Sequence, residues 1–180
     1  MIVVNLFGGP GAGKSTTAAA LFSKLKMADH NAELITEFAK DLTWEKRFNT
    51  LDNQLYVFAK QYHKFWRVKD GVDIVVTDSP LLFSLIYGTD ESKAFQTVVK
   101  ERFNEFDNIN IVLNRKKKYN PKGRNQTEDE AKVIDQEIRQ MLTQNGFEYY
   151  SVDYGIDQLD YIIELVEQKF TGLAQERAPA

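Results

Sequence analysis

The opening fifteen residues constrain the fold more than any other stretch of the chain. Ile2-Val3-Val4-Asn5-Leu6-Phe7 is an almost continuous apolar run rich in β-branched residues, as found in strands buried on both faces of a parallel sheet. It breaks into Gly8-Gly9-Pro10-Gly11-Ala12-Gly13-Lys14-Ser15, which matches G-x-x-x-x-G-K-[ST] at every fixed position. Helical periodicity follows from Ser15 to about Met27. A strand, a glycine-rich turn and a helix in that order build a phosphate cradle. The glycines let successive N–H groups point inward, and the positive end of the following helix adds to their field. The stretch from Gly8 to Thr16 is therefore the candidate nucleotide site. Lys14 supplies a mobile charge for the β- and γ-phosphates, and the Ser15 hydroxyl is a Mg²⁺ ligand.

The rest of the chain repeats the strand-then-helix alternation. Short strands are predicted at Ala32 to Ile35, Asp73 to Thr77, Ile109 to Leu113 and Tyr149 to Val152. Leu51, Leu55, Phe58, Tyr62 and Phe65 recur at three- and four-residue steps and predict one amphipathic helix from Thr50 to about Lys69. Ser79 and Pro80 suit the N-cap and first position of another helix. Thr127 with Glu130 is a capping-box pair opening a helix that Gly146 is placed to end. A last helix uses Leu159, Ile162, Ile163, Leu165, Val166 and Phe170. The expectation is an α/β P-loop fold: a five-stranded parallel sheet sandwiched by helices in a single domain over residues 1–171, with a polar, frayed tail over 172–180.

Composition supports this reading. With 43% hydrophobic and 27% charged residues the 180-residue chain has the make-up of a soluble globular protein, and no run approaches a membrane span. The absence of cysteine excludes disulfides, thiolate metal sites and a cysteine nucleophile, and agrees with a cytoplasmic location. His30 and His63 are isolated. The net charge of −3 hides an uneven distribution: Arg115, Lys116, Lys117, Lys118, Lys122 and Arg124 put six bases and no acid into ten residues. Removing them from the chain's 23 bases leaves 17 against 26 acids, so a basic island sits on an acidic body.

Open α/β sheets place ligands at the carboxyl ends of their strands, so the acids there matter. Glu37 follows the second strand and Asp78 ends the third. Asp78 is either a helix cap or a holder of Mg²⁺, and Glu37 either a solvated first-turn carboxylate or the base that takes a proton from an acceptor hydroxyl. Arg115 and Arg124 bound a loop of about 115–126, where a lid would bring guanidinium groups onto the transferring phosphate. Gln54 and Gln61, seven apart, share a helix face as a polar flank or as readers of a base edge.

The segments Gly8 to Thr16, Thr36-Glu37-Phe38-Ala39, Thr77-Asp78-Ser79-Pro80 and Arg115 to Arg124 resemble the P-loop nucleoside and nucleotide kinase group. The spacing is similar to deoxynucleoside kinases and nicotinamide riboside kinases, in which a carboxylate after the second strand serves as base. Gly123-Arg124-Asn125-Gln126-Thr127-Glu128 and the short length are similar to small phage-encoded P-loop kinases, among them those that phosphorylate 5-hydroxymethyluracil in DNA. Ser79 departs from the group, standing where nucleoside kinases often carry arginine. No arginine-finger motif, switch segment or second domain appears, which disfavours an AAA-type ATPase or a GTPase.

The resemblance implies an ATP- and Mg²⁺-dependent kinase in which Lys14 steadies the phosphates, Ser15 and Asp78 organise the metal, and Glu37 or Asp78 orients the acceptor hydroxyl. The favoured acceptor is 5-hydroxymethyluracil in DNA, because six bases exceed what a small nucleoside needs and a DNA backbone offers several phosphates. Tyr119 or Trp66 would stack on the extruded base. A free deoxynucleoside or nucleoside monophosphate is the alternative acceptor, and an ATP-hydrolysing regulatory module without acceptor is the alternative activity.

Overall fold

A computed structural model describes residues 1–88, 91–116, 119–120 and 127–176. Five strands, β1 (Ile2–Phe7), β2 (Ala32–Ile35), β3 (Ile74–Thr77), β4 (Asp107–Asn114) and β5 (Tyr150–Asp153), form one sheet in the order β2-β3-β1-β4-β5. Every pairing is parallel: β1 sets Ile2 against both Ile74 and Asp107, β2 sets Ala32 against Ile74, and β4 sets Ile111 against Tyr150. Parallel neighbours need crossover connections, supplied here by helices on both faces. In chain order these are α1 (Lys14–Met27), α2 (Phe38–Trp44), α3 (Phe48–Leu51), α4 (Gln54–Trp66), α5 (Ser84–Tyr87), α6 (Lys93–Phe103), α7 (Glu128–Gln144) and α8 (Leu159–Glu176). Among the described residues no helix is long and apolar enough to cross a membrane.

Side-chain alternation along β1 divides the core in two. Ile2, Val4 and Leu6 pack with Leu21 and Leu25 of α1 and Ile162 and Val166 of α8. Val3 and Phe7 pack on the other face with Phe58 and Phe65 of α4, Phe95, Val99 and Phe103 of α6, and Ile138 and Leu142 of α7. Burial on both faces explains why β1 reads as a continuous apolar run rather than an alternating one.

Several sequence expectations need correction. The helix predicted from Thr50 to Lys69 is two helices, because Asn53 stops α3 and caps α4, its side chain accepting the Tyr56 N–H at 3.0 Å. The restart changes the buried stripe: Val57, Phe58, Gln61 and Phe65 face inward, while Leu55 is 58% exposed. Pro80 does not open an α-helix but caps a 3₁₀ turn, Leu81–Phe83, that leads into α5. β4 runs longer than its apolar stretch because Asn108 and Asn110 are paired inside the sheet. Asn5 Nδ2 donates to their Oδ1 atoms at 2.8 and 3.2 Å, and their own amides donate to the carbonyls of Phe103, Phe106 and Glu148. Of the tail expected over 172–180, Gly172 to Glu176 continue α8, and residues 177–180 lie outside the described residues. The capping box at Thr127 is present as expected, with both of its hydrogen bonds.

Candidate active site

All five strands point their carboxyl ends the same way, so the segments after β1 to β5 meet along one edge of the sheet. After β1, the chain curls through Gly8 to Gly13 with positive φ at Gly11 (81°) and Gly13 (103°), a conformation that L side chains rarely adopt. Gly13 ends the loop as the N-cap residue of α1, leaving the first-turn amides of the helix facing the cleft. Lys14, the first helical residue, folds back so that its ammonium donates to the carbonyls of Gly8 at 2.6 Å and Gly9 at 3.2 Å. The ammonium also lies 5.4 Å over the Phe83 ring. Burial pulls the Lys14 pKa below its ordinary value, against the opposing pull of Glu37, Asp78 and Asp135, while Arg115 adds to the lowering. Three carboxylates and one guanidinium therefore act on this lysine.

Glu37 follows β2 and holds the N-cap position of α2, but its side chain caps nothing. Burial pushes its carboxyl above the usual carboxylate range; Lys14 draws it back and Asp78 reinforces the rise. Asp78, directly after β3, is 4% exposed, and its Oδ1 has no hydrogen-bond partner. A buried oxygen left unpaired costs free energy, and such groups in native sites are commonly completed by a ligand or ion. The helix-cap alternative for Asp78 finds no support, since the turn after β3 is capped without any side-chain hydrogen bond.

The strand ends that carry these acids are tied together. Thr77 Oγ1 donates to the Ile35 carbonyl at 2.8 Å and accepts the Ser79 N–H at 3.1 Å. Gln61 of α4, 5% exposed, accepts the Phe38 N–H at 2.9 Å and donates to the carbonyls of Thr36 (3.4 Å) and Ser79 (3.3 Å). Gln61 thus crosslinks the Glu37 and Asp78 segments, and Gln54 is turned to its own chain, donating to the Leu51 carbonyl at 2.9 Å. The pair does not present one shared base-reading face. Two neighbours escaped the sequence reading. Lys64 donates to the Thr36 carbonyl at 2.9 Å, and burial lowers its pKa. The Tyr87 phenol is pushed up to about 12, first by burial and then by Glu37, Glu137 and Asp135.

After β4, Arg115 is engaged rather than free. Its Nε and Nη2 donate to Asp135 Oδ2 at 3.1 and 2.9 Å, and Nη1 donates to the Pro10 carbonyl at 2.9 Å. Lys116 pairs with Asp153 at 3.3 Å. Tyr119 and Tyr154 lie against the phosphate loop: a methyl on Gly11 would meet Tyr119 Cδ2 at 2.9 Å, and one on Gly13 would meet Tyr154 Cδ2 at 2.1 Å. Arg124, with Lys117, Lys118 and Lys122, lies outside the described residues. Asp135 is a further site residue with no local sequence signal, being one acid among many on α7.

The donor set suits a hard cation. Among the described residues no three of His, Cys, Asp and Glu come together to hold a metal. The unpaired Asp78 oxygen and the exposed Ser15 hydroxyl fit an ion that takes its remaining ligands from phosphates and water. A surface hollow of about 480 Å³, lined by residues including Phe147, Tyr149 and Tyr150, lies at the amino end of β5 and carries none of these groups.

A protein-family model described as AAA domain matches residues 3–158. The sequence reading disfavours an AAA-type ATPase as the activity; the match shows kinship with a domain of that description and names no activity. No curated protein sequence matches the chain. Among solved structures, deoxyadenosine kinase from M. mycoides with bound dATP is 17% identical, at a TM-score of 0.54 over 93% of this chain and 100% of that one. A second structure of that kinase, with products dCMP and a flexible dCDP bound, is 20% identical at a TM-score of 0.55, over 94% and 99% of the two chains. The likeness is one of fold: the sheet and its flanking helices are those of a P-loop kinase.

Proposed function

The chain belongs to the family described as AAA domain, and on that premise we propose that it is a kinase that transfers the γ-phosphoryl group of ATP to a hydroxyl of a deoxynucleoside-type acceptor. One observation carries the reading: besides the unpaired Asp78, the strand ends hold a second carboxylate, Glu37, whose side chain at the start of α2 caps nothing and which burial pushes above the ordinary carboxylate range beside Lys14. ATP hydrolysis needs the loop, a metal ligand and water. A second, partly buried acid beside the phosphate-loop lysine suits an acceptor hydroxyl, and a raised pKa brings a general base nearer to working pH.

The roles follow from placement. The amides of the first turn of α1 and the Lys14 ammonium, released from the Gly8 and Gly9 carbonyls, stabilise charge on the β- and γ-phosphates. Ser15 and Asp78 would hold Mg²⁺, which neutralises phosphate charge when bound. The acceptor oxygen attacks the γ-phosphorus, the bond to the bridging oxygen breaks, ADP leaves, and the acceptor proton passes to Glu37.

A free deoxynucleoside is favoured by the likeness to a kinase fold seen with dATP, dCMP and dCDP. Transfer to 5-hydroxymethyluracil in DNA is the second reading and rests on the basic run. Of that run, Arg115 is consumed by Asp135 and Lys116 faces Asp153. The test is mass spectrometry of products from ATP, Mg²⁺ and a panel of deoxynucleosides, monophosphates and DNA containing 5-hydroxymethyluracil. A phosphorylated free deoxynucleoside is expected, with one ADP per product, and Lys14→Ala is expected to abolish it. Product on DNA alone supports the second reading. ADP release without any phosphorylated acceptor overturns both and leaves an ATP-hydrolysing module.

A further inference from the structure

We propose that Asp135 is the positioning residue of the phosphate loop, and that with Arg115 it forms a clamp that holds the loop ready for the triphosphate. The proposal rests on the loop being the ATP site, as in the function proposed above, but not on any acceptor.

The clamp closes through four groups. Asp135 Oδ1 accepts the Gly9 N–H at 2.5 Å, Asp135 Oδ2 accepts two N–H groups of Arg115, and Arg115 Nη1 donates to the Pro10 carbonyl at 2.9 Å. The Gly9 amide and the Pro10 carbonyl, two residues of one bend, are thus gripped by one acceptor and one donor that are themselves ion-paired. The guanidinium also reaches the Ala131 carbonyl at 3.5 Å, one turn before Asp135 on α7. The Arg115 side chain is only 11% exposed and that of Asp135 22%, so this is not a solvated surface pair. α7 itself presses on the loop, since a methyl on Gly9 would stand 2.4 Å from the Ala131 carbonyl oxygen.

The reason for such a clamp lies in the loop's composition. Four glycines among Gly8 to Gly13 give the curl its shape and also make it costly to order. A cradle held in its binding conformation before the ligand arrives spares that cost at binding. The clamp also turns the Gly9 N–H outward to Asp135, and it joins the start of the basic segment and the phosphate loop to one helix.

The test measures ATP affinity by calorimetry with no acceptor present, for wild type, Asp135→Ala, Asp135→Asn, Arg115→Ala and the Arg115→Ala/Asp135→Ala double variant. Each alanine variant is expected to bind ATP about tenfold more weakly, equivalent to about 1.4 kcal/mol. The double variant should be no weaker than the weaker single, because both remove one device. Asp135→Asn keeps the size of the side chain and an acceptor for Gly9 but loses the charge facing Arg115; it should fold as wild type and still lose ATP affinity. The Gly9 amide resonance in the nucleotide-free protein should move in Asp135→Ala, a change that a general loss of stability does not produce. Where the enzyme turns over, acceptor KM should stay within about twofold, which confines the effect to the donor side.

Wild-type ATP affinity in Asp135→Asn overturns the clamp. So do losses that multiply in the double variant, since Arg115 would then meet phosphate independently of Asp135. If the affinities behave as expected but no acceptor is ever phosphorylated, the clamp stands and the kinase reading falls; phosphorylated product with multiplicative losses does the reverse.

Discussion

The phosphate-loop motif leaves its second position open to any residue, and Gly9→Ala is the substitution on which motif and structure disagree. A Cβ at residue 9 would lie 2.4 Å from the Ala131 carbonyl oxygen, 3.3 Å from the Ala131 carbonyl carbon and 3.0 Å from Asp135 Oδ1. Ordinary contact begins at 3.4 Å, so the methyl intrudes on helix backbone by a full ångström, with no flexible side chain to yield. The chain has two ways to respond. It can keep loop and helix together at an overpacking cost of about 1–3 kcal/mol. It can instead part them and lose the Gly9 bond to a charged acceptor, worth about 1.5–3 kcal/mol. The cheaper route sets the cost, and reduced freedom of the unfolded chain returns about 0.4–1 kcal/mol. A net loss of about 1.5 kcal/mol follows, which for a chain of this size lowers Tm by roughly 3–6 °C. Parting the two elements also dissolves the clamp, so ATP affinity should fall about tenfold. Thermal unfolding with and without ATP, together with calorimetry, reads both quantities. Gly172→Ala is the control: Gly172 lies inside α8 with nothing within 4 Å of its Cβ direction, so alanine should stabilise by about 0.5–1 kcal/mol. A Gly9→Ala protein that melts within a degree of wild type and binds ATP within twofold refutes the packing of α7 on the loop.

Three further variants test other parts of the reasoning. Because burial raises the Glu37 pKa, its carboxylate is protonated earlier as pH falls, so the acid limb of kcat/KM should lie above the range of a free glutamate. Glu37→Gln should remove that limb and lower kcat about 10²–10⁴-fold. The same shift fixes a stability effect: the folded carboxyl binds its proton more strongly than the unfolded one, so ionising it as pH rises costs stability, and Glu37→Gln should melt higher than wild type at pH 8 but not at pH 4. Phe65, 1% exposed and packed on Phe106 with ring centroids 5.7 Å apart, should cost about 3–5 kcal/mol as Phe65→Ala in urea unfolding, without a selective loss of ATP affinity. Thr127→Ala removes the capping box that starts α7 and should cost about 0.5–2 kcal/mol by the same assay.

The parts of the fold legible in the sequence are those where one local rule acts alone. β1 and the phosphate loop stand out because burial on both faces removes polar residues from the strand and the curl demands glycine. The Thr127 cap is legible because both of its partners lie within one turn. α4 was mis-phased because Asn53 caps from inside an apolar periodicity that continues on either side of it, and Leu55 is apolar but exposed. α6 carried a usable signal in Phe95, Val99 and Phe103 at four-residue steps after Ser92, whose hydroxyl accepts the Phe95 N–H at 3.2 Å. The start of β4 is hidden because Asp107 and Asn108 look like strand breakers until Asn5, more than a hundred residues away, pairs with Asn108. Glu37 and Asp78 could be picked out by position, since each follows an apolar run. Gln61 stands out by its spacing but not for its crosslinking role, and Asp135 not at all, because their partners lie on other elements.

Charge shows the same gap between sequence and site. Six bases in ten residues read as a positive field available to an anion, but the fold supplies acids from elsewhere in the chain. The two pairings differ in kind. Lys116 and Asp153 are 61% and 48% exposed, so their ion pair is worth about 0–1 kcal/mol and leaves the ammonium able to exchange partners with a passing phosphate. Arg115 is bound by two N–H groups to a carboxylate that is also committed to Gly9, and moving it would strand a partly buried charge and release the loop amide together. The basic run therefore cannot be counted as six equal charges: its first residue, Arg115, is tied to the phosphate loop through Asp135 and Pro10. A DNA-binding account that counts all six bases overstates the number of phosphate contacts by at least one. The expected salt dependence falls with each contact removed, by about 0.9 in the logarithmic slope.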